Sequence, residues 1–406
     1  MLRKHRSLMP IFTLLLLVAC ATAPESDVDT PEYHFKAGMR AIDNGAPKFK
    51  LGPVQEVDAP TQVAGPYEVS LEDWVTADYQ QAIKSFQRSV DLDKKFALGY
   101  GGLGLAHAYL EQNGQAKDYA SKCASRGSKD PEALALSGQI WITMRDSEKK
   151  WFKRASSHLK KALKRDEAHE GAMYWSGVAH LYNYEFGEAG DFFRKVVDKR
   201  GDYAGKADAK WELTQNIERA MPGTPEGKKV ALKERINRAD IAVLFAEELK
   251  IGALFDSMPV QNTGFQTPSQ ASQSVNITVP NDSKDHWAET WIKDMIRYGI
   301  MSVDSENNFL PNENITRANY AMAVQRLLVV VRRDETLETK YIGDPQQRFS
   351  DLSSSHFAYN AAAVCTESGI MKIDMITRKF NPNGDVTGAD TLLLIRELQN
   401  ALRMTF

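Results

Sequence analysis

Residues 286–318, HWAETWIKDMIRYGIMSVDSENNFLPNENITRA, indicate how the C-terminal half folds, because four parts of this segment return seventy or seventy-one residues later. The recurring parts are a His-aromatic-Ala triplet, a Gly-Ile-Met triplet, a Phe-x-Pro triplet, and a β-branched residue followed by Thr-x-Ala. They begin at residues 286, 299, 309 and 315 in the first copy, and at 356, 369, 380 and 386 in the second. Four anchors with at most one residue of drift indicate an internal structural repeat.

Each copy predicts a helix, a loop and a second, closing helix. Gly299 suits the left-handed position that ends a helix. Thr316 suits the N-cap of the closing helix, since its side-chain oxygen can accept a hydrogen bond from a free backbone N–H. Helical periodicity also runs from Pro31 to about residue 220 without strand-like alternation. The sequence therefore predicts an all-α fold.

These anchors resemble the S-layer homology (SLH) module, whose pattern runs from Phe-Ser-Asp through His-Trp-Ala and Gly-Ile to Phe-x-Pro and Thr-Arg-Ala-Glu. Residues 349–351 supply the Phe-Ser-Asp opening of the last repeat, and residues 236–240 match the closing motif of an earlier, degenerate one. The resemblance predicts an SLH domain over residues 221–406, with a degenerate repeat at about 205–255, a linker at 257–279, and repeats at about 279–332 and 346–402.

The resemblance implies a pseudo-threefold helical bundle whose grooves bind acidic or pyruvylated cell-wall glycan, or modified peptidoglycan. The closing-motif arginine is implicated in that contact, and a guanidinium can hold a carboxylate or ketal through two charge-assisted hydrogen bonds. Tryptophans could form a wall for the face of a sugar. The candidate glycan-binding residues are therefore Arg238, Arg317, Trp287, Asp240, Thr316 and Trp211.

Two departures from the family pattern bear on the third repeat. It has Gly388 where the family has Arg, and Phe357 where the family has Trp, which predicts that its groove has lost its ligand. The alternative for Arg238 and Arg317 is a purely structural role, in which they pair with nearby carboxylates.

The N-terminal half carries another repeat. Glycines 104, 138 and 177 lie 34 and 39 residues apart, each on a first helix followed by a second helix with small and large apolar residues at helical spacing. This pattern resembles tetratricopeptide (TPR) repeats. It predicts a TPR-like helical solenoid over residues 31–220, with an insertion at 46–76, followed by the SLH-type bundle. Helical hairpins that do not form a solenoid are the alternative.

The N-terminus has the features of a targeting signal. Arg3, Lys4 and Arg6 precede a short apolar run that ends at Cys20. Leu-Val-Ala-Cys resembles the bacterial lipobox, which predicts a lipoprotein signal peptide at 1–19, acylation of Cys20 by chains such as palmitate, and a lipidated tether at 20–30. Ala21, rather than Asp, favours the outer membrane over the inner one. The alternative is an ordinary secretory signal with a chance cysteine.

Composition and the remaining motifs narrow the function. The net charge is -2, which excludes a strongly basic nucleic-acid-binding protein. Neither a zincin motif, a phosphate-binding glycine loop nor a cysteine metal cluster occurs in the sequence, so we expect no catalytic residues, no cofactor and no metal. The basic stretch 149–165 is interpreted as a solvated helix face, with contact to anionic lipid headgroups or an acidic partner as the alternative.

Together these patterns predict an outer-membrane, lipid-anchored protein that faces the periplasm and is not an enzyme. It would bind cell-wall polysaccharide or peptidoglycan through its SLH repeats and an unidentified envelope protein through its TPR repeats. The alternative is a TPR adaptor lipoprotein for an envelope assembly or secretion complex, whose SLH half is only structural. A wall-modifying enzyme would need a catalytic constellation that the sequence does not contain.

Overall fold

The computed structural model describes residues 29–45, 71–257 and 279–402. The predicted signal peptide and Cys20, and most of the predicted tether, insertion and linker, lie outside the described residues. Across the described ranges the chain forms sixteen α-helices and one short 3₁₀ helix, with isolated β-bridges but no strand. This confirms the all-α fold class. None of the described helices is both long and apolar enough to cross a membrane.

The helices, in chain order, are α1 (Pro31–Gly45), α2 (Leu71–Leu92), α3 (Ala97–Tyr109), α4 (Asn113–Arg126), α5 (Pro131–Thr143), α6 (Trp151–Arg165), α7 (Glu170–Tyr182), α8 (Phe186–Lys199), α9 (Ala204–Ala220), α10 (Pro225–Ala231), α11 (Arg238–Glu247), α12 (Ile251–Ser257), α13 (Glu289–Arg297), α14 (Arg317–Arg332), α15 (Tyr359–Glu367) and α16 (Gly388–Ala401). The 3₁₀ helix is Glu335–Glu338.

The chain divides into two compact units between Trp175 and Ser176, inside α7. In the first unit the helices pack in consecutive pairs, α1 on α2, α3 on α4 and α5 on α6, and α3 also packs on α5, as in a helical solenoid. The domain boundaries predicted from the sequence, including the one at residue 220, stay predictions.

A small residue permits the close crossing of α5 and α6. A Cβ atom added to Gly138 on α5 would lie 2.7 Å from the Leu159 side chain of α6. Leu159 is buried with Ala155 and Ala162, which recur at helical spacing on the same side of α6. A larger residue at position 138 would push the two helices apart, which explains why a glycine recurs at this point of the sequence repeat.

The second unit contains three closing helices, α11, α14 and α16, that begin in the same way. The side chains of Asn237, Thr316 and Thr387 each accept a hydrogen bond from the backbone N–H three residues later. Each closing helix then packs on the opening helix of the next repeat: α11 on α13, α14 on α15, and α16 on α9. The third of these contacts returns to the first repeat, so the three repeats form a closed ring.

Backbone hydrogen bonds connect the three closing segments at the centre of this ring. The N–H of Ile236 donates to the carbonyl of Val386 at 3.1 Å, and the N–H of Ile315 donates to the carbonyl of Ile236 at 2.9 Å. Isolated β-bridges join Asn237 to Asn314 and Thr316 to Asp385. These contacts give the unit its pseudo-threefold arrangement.

The recurring sequence anchors form the core of the second unit. Phe309 and Phe380, from the two Phe-x-Pro triplets, are fully buried, and the ring centre of Phe380 lies 5.3 Å from that of Phe349. Gly299 and Gly369 end their helices with φ values of 69° and 73°, a conformation that glycine adopts without steric cost. The sequence anchors are therefore positions of packing and chain reversal.

Candidate functional site

A groove of about 660 Å³ opens on the surface of the second unit. It lies among the turn that follows α13, the outer side of α14, and Phe357 just before α15. Its walls include Arg238, Met301, Asn319, Met322, Arg326 and Phe357. The groove therefore combines cationic guanidinium groups, amide groups and the face of an aromatic ring. This combination suits a ligand with both polar and apolar surfaces.

Arg238 is the first residue of α11, and its guanidinium is held by backbone carbonyls of the next repeat. Its Nε donates to the carbonyl of Phe309 at 2.6 Å, and its Nη2 donates to the carbonyl of Ser302 at 2.8 Å. The guanidinium carbon also lies 4.7 Å from the centre of the Phe309 ring. Its remaining amino group, Nη1, has no hydrogen-bond partner among the described residues and is the group left to donate to a ligand.

Arg317 repeats this geometry one repeat later. Its Nε donates to the carbonyl of Phe380 and its Nη2 to the carbonyl of Lys372, both at 2.8 Å. Burial lowers the pKa of both Arg238 and Arg317 from its usual value. Because an arginine pKa starts so high, both side chains stay charged at neutral pH.

Both arginines therefore fasten a closing helix to the Phe-x-Pro segment of the following repeat. Neither forms an ion pair with a carboxylate in the described part of the chain. The structural role that the sequence suggested was pairing with carboxylates, whereas the observed hydrogen bonds go to backbone carbonyls. Carboxylates lie nearby without forming ion pairs: Glu313, Asp282 and Asp304 near Arg238, and Asp390 and Asp351 near Arg317.

Gly388 occupies the corresponding position of the third closing helix, and the structure leaves no space for a side chain there. Its N–H donates to the carbonyl of Lys233 at 2.9 Å. A Cβ atom at this position would lie 1.7 Å from the carbonyl oxygen of Val230. The absence of an arginine from the third repeat therefore has a packing cause, which the sequence pattern alone does not reveal.

Asp240 and Thr316, two other candidate glycan-binding residues, are occupied by local contacts. Asp240 is fully buried; one carboxylate oxygen accepts from the N–H of Asn237 at 3.0 Å and the other from Lys233 Nζ at 2.6 Å. The Thr316 hydroxyl oxygen accepts from the N–H of Asn319 at 3.3 Å. The structure thus places Asp240 in a capping box and Thr316 at an N-cap.

The tryptophans predicted to line the site lie apart from Arg238. Trp287 is 54% exposed and makes an edge contact with Trp291, but it is not among the residues of the Arg238 groove. Trp211 lines a separate groove of about 550 Å³ on α8 and α9, together with Glu188 and Glu218. Arg238 is therefore the one residue of the six candidates that lines this groove.

The aromatic residue that does reach this groove is Phe357, which is 74% exposed. It stands where the third repeat departs from the tryptophan of the family pattern. Sequence reasoning assigned Phe357 to the groove of the third repeat, whereas the structure places it in the groove beside α14, the closing helix of the preceding repeat. Met301 and Met322 were missed as well: Met301 belongs to the recurring Gly-Ile-Met triplet but was not assigned to a site, and Met322 belongs to no recurring motif.

Two aspartates near the start of their repeats accept hydrogen bonds from the backbone of the Phe-x-Pro segments. The carboxylate of Asp351 accepts from the N–H groups of Phe380 and Asn381, both at 2.8 Å. Asp282 does the same one repeat earlier, at 2.8 Å from the N–H of Phe309 and 2.7 Å from that of Leu310. The carbonyls that bind Arg238 and Arg317 are thereby fixed in position.

The junction between the third and first repeats uses another arginine. Arg396, on α16, donates from Nε to the carbonyl of Ala220 at 2.6 Å and from Nη2 to Glu248 Oε2 at 2.8 Å. Glu248 is almost fully buried and also accepts from the N–H of Thr224 at 2.9 Å. Sequence reasoning did not find this pair, because its members belong to no recurring motif and lie 148 residues apart.

Comparison with known proteins supports part of this description. Residues 281–321, which contribute much of the groove, match the family model of the S-layer homology domain. The chain is 29% identical over 181 residues to an uncharacterized cell wall amidase of Bacillus anthracis, a match covering 45% of this chain and 28% of that protein. It is 31% identical over 107 residues to an amylopullulanase of Thermoanaerobacterium thermosulfurigenes, covering 26% of this chain and 5% of that one.

The chain therefore contains an SLH domain, as its sequence anchors predict. It spans less than a third of either relative's length, so the similarity concerns a shared part. The resemblance of residues 31–220 to TPR repeats and that of the N-terminus to a lipobox stay predictions.

Proposed function

We propose that this protein attaches to the cell wall through its SLH repeats, with the groove beside Arg238 as the site that takes the glycan. The observation that carries the proposal is that a guanidinium with a free amino group and an exposed aromatic ring line the same groove. The SLH match and the similarity to a protein named a cell wall amidase support it.

The groove offers distinct contacts to an acidic glycan. Nη1 of Arg238 would donate to a carboxylate or ketal oxygen, and this hydrogen bond would be strengthened by the charge of the guanidinium. Phe357, Met301 and Met322 would pack against the apolar face of a sugar ring, while Asn319 would bond to hydroxyl groups.

The same proposal includes lipid anchoring at Cys20 in the outer membrane, facing the periplasm, and recruitment of an envelope protein by the helical solenoid. The lipobox resemblance supports the first, and the stacked helical pairs of the first unit support the second. The second candidate function is an adaptor for an envelope assembly or secretion complex, with the SLH half as scaffold. The carbonyl contacts of Arg238 and Arg317 favour it, because they give both arginines a purely structural use.

Sedimentation with isolated cell-wall sacculi tests the proposal. The purified chain without its signal peptide and lipid should sediment with sacculi of its own organism. Phe357→Ala should weaken binding about tenfold through loss of packing against the sugar. Ile376→Ala, which removes a 94% exposed apolar side chain outside the groove, is the matched control and should bind as wild type does.

Two arginine variants separate wall binding from scaffolding. Arg238→Ala and Arg317→Ala each remove two hydrogen bonds to backbone carbonyls, so they should cost similar stability. We expect Arg238→Ala to lose about tenfold more affinity for sacculi than Arg317→Ala, because it also removes a charged donor from the groove. Equal losses would assign both arginines to the scaffold, and a wild-type chain that does not sediment would overturn the proposal.

A further inference from the structure

Helix α6 of the first unit presents an uninterrupted cationic surface. Every basic residue from 149 to 165 is exposed, and no acidic residue occurs within that stretch. We call these eight residues the basic face: Lys149, Lys150, Lys153, Arg154, Lys160, Lys161, Lys164 and Arg165. Lys149 and Lys150 directly precede α6, and at 3.6 residues per turn the six that lie on the helix cover roughly 140° of its circumference. The opposite side, with Ala155, Leu159 and Ala162, is buried.

Within the described ranges, the charges of the basic face are not neutralised by ion pairs. None of its eight residues forms an ion pair with a carboxylate in the ranges that the structure describes, and Glu148, beside its beginning, pairs instead with Lys117. Arg154 lies over the Trp141 ring at 4.8 Å, a contact that leaves its charge in place. Repulsion among so many like charges on one short helix is unfavourable, and an anionic surface laid against the face would relieve it.

The composition of the face favours a diffuse anionic layer over a single anion. Six of the eight residues are lysines, which act as mobile point charges, whereas arginine is the residue suited to fixed two-pronged recognition of one phosphate or carboxylate. The helix is about 22 Å long, enough to cover several lipid headgroups. Trp151 lies partly exposed at one end, and tryptophan is enriched at membrane interfaces.

The position of the predicted lipid anchor is consistent with a membrane as the anionic surface that the basic face contacts. Cys20 precedes the start of α1 at Pro31 by eleven residues, which can span at most about 40 Å. An acylated Cys20 would therefore keep the solenoid close to headgroups. This last step rests on the proposed lipid anchor, whereas the charge of the basic face does not.

We propose that the basic face of α6 docks on anionic phospholipid headgroups and lays the helical solenoid on the membrane surface. This is a second envelope contact, separate from the wall-binding groove. Each lysine near an anionic surface contributes about fivefold to the partition coefficient, so the face as a whole suffices for binding without the acyl chains.

Vesicle flotation with the unlipidated chain tests this inference. The chain should float with vesicles of phosphatidylcholine and phosphatidylglycerol but not with pure phosphatidylcholine, and high salt should release it because salt screens surface charge. The triple variant Lys153→Gln, Lys160→Gln and Lys164→Gln removes one stripe of the face and should lower the partition coefficient about a hundredfold.

The matched control changes the same net charge elsewhere in the first unit. Lys84, Lys95 and Lys129 are exposed lysines outside α6, and their replacement by Gln should leave vesicle binding close to wild type. Equal loss in both triple variants, or no preference for phosphatidylglycerol, would overturn the proposal. The proposal would also fail if the chain did not bind vesicles and if, of the two triple variants, only the α6 variant lost sedimentation with sacculi. The basic face would then bind an anionic wall polymer. Phe357→Ala should not affect flotation, which keeps this test separate from that of wall binding.

Discussion

Single residues of the second unit carry both packing and candidate chemistry. Arg238 and Arg317 each donate two hydrogen bonds to backbone carbonyls. Arg238 also has a free N–H donor, Nη1, and it lines a groove that Phe357 lines too. A motif arginine can therefore be retained for the fold even where a groove has no ligand. Gly388 shows the opposite case, in which the backbone of the neighbouring repeat excludes the arginine altogether.

The tight contact at Gly388 gives a stability prediction. We expect Gly388→Ala to destabilise the second unit by at least about 3 kcal/mol, because the new Cβ would overlap the Val230 carbonyl oxygen and force the two backbones apart. Gly205→Ala on α9 is the control: no atom lies within 4 Å of its added Cβ, and alanine favours a helix, so its stability should be equal or slightly higher. Thermal melting compares the two, and equal melting temperatures would refute the assigned overlap.

At the scale of the elements, the caps and chain reversals were the predictable part of the structure. Thr316 caps α14 and Gly299 ends α13 with positive φ, because both depend on residues next to them in the chain. The end of α9 was harder to predict, since Met221 takes the left-handed conformation there with φ 45°. Such a conformation costs energy for a residue other than glycine, and here the carbonyl of Met221 is bound by Arg396.

The Phe-x-Pro segment of the third repeat gives a stability prediction. Asp351→Ala would leave the N–H groups of Phe380 and Asn381 without their carboxylate acceptor, at a segment where Asn381 has a φ of 57°. We expect a loss of about 2–3 kcal/mol in the free energy of unfolding. Asp385→Ala, which removes an exposed ion pair with Arg235, should cost less than about 1 kcal/mol. Urea unfolding measures both, and an equal cost would contradict the assigned role of Asp351.

At the scale of the molecule, the sequence predicted two helical repeats but not how the second one closes. Periodicity and recurring anchors are local signals, and they were sufficient for the all-α fold and for the SLH resemblance. The grooves depend on which repeat faces which, so the presence of Arg238 and Phe357 in one groove and of Trp211 in another needed the three-dimensional arrangement. The pair of Glu248 and Arg396 likewise belongs to ring closure rather than to any motif.

This closing pair gives a prediction for the whole second unit. Arg396→Ala would leave Glu248 buried and charged without its partner, and we expect a loss of about 3–5 kcal/mol in stability. Adding Glu248→Gln should recover part of that loss, because a neutral amide is less costly to bury than an unpaired carboxylate. The control Arg194→Ala removes a solvent-exposed ion pair with Asp191 and should have little effect. Thermal melting of these variants tests the assignment, which fails if Arg396→Ala behaves as Arg194→Ala does.

Ring closure between the first and third repeats also sets an order of events during synthesis. The ribosome releases Glu248 long before Arg396, which follows it by 148 residues. At roughly 5–20 residues per second, the first repeat waits about 7 to 30 seconds for the helix that completes it. During that interval α9 and α10 lack the helix α16 that covers them in the finished ring. The first repeat therefore keeps this side uncovered until the third repeat has been made.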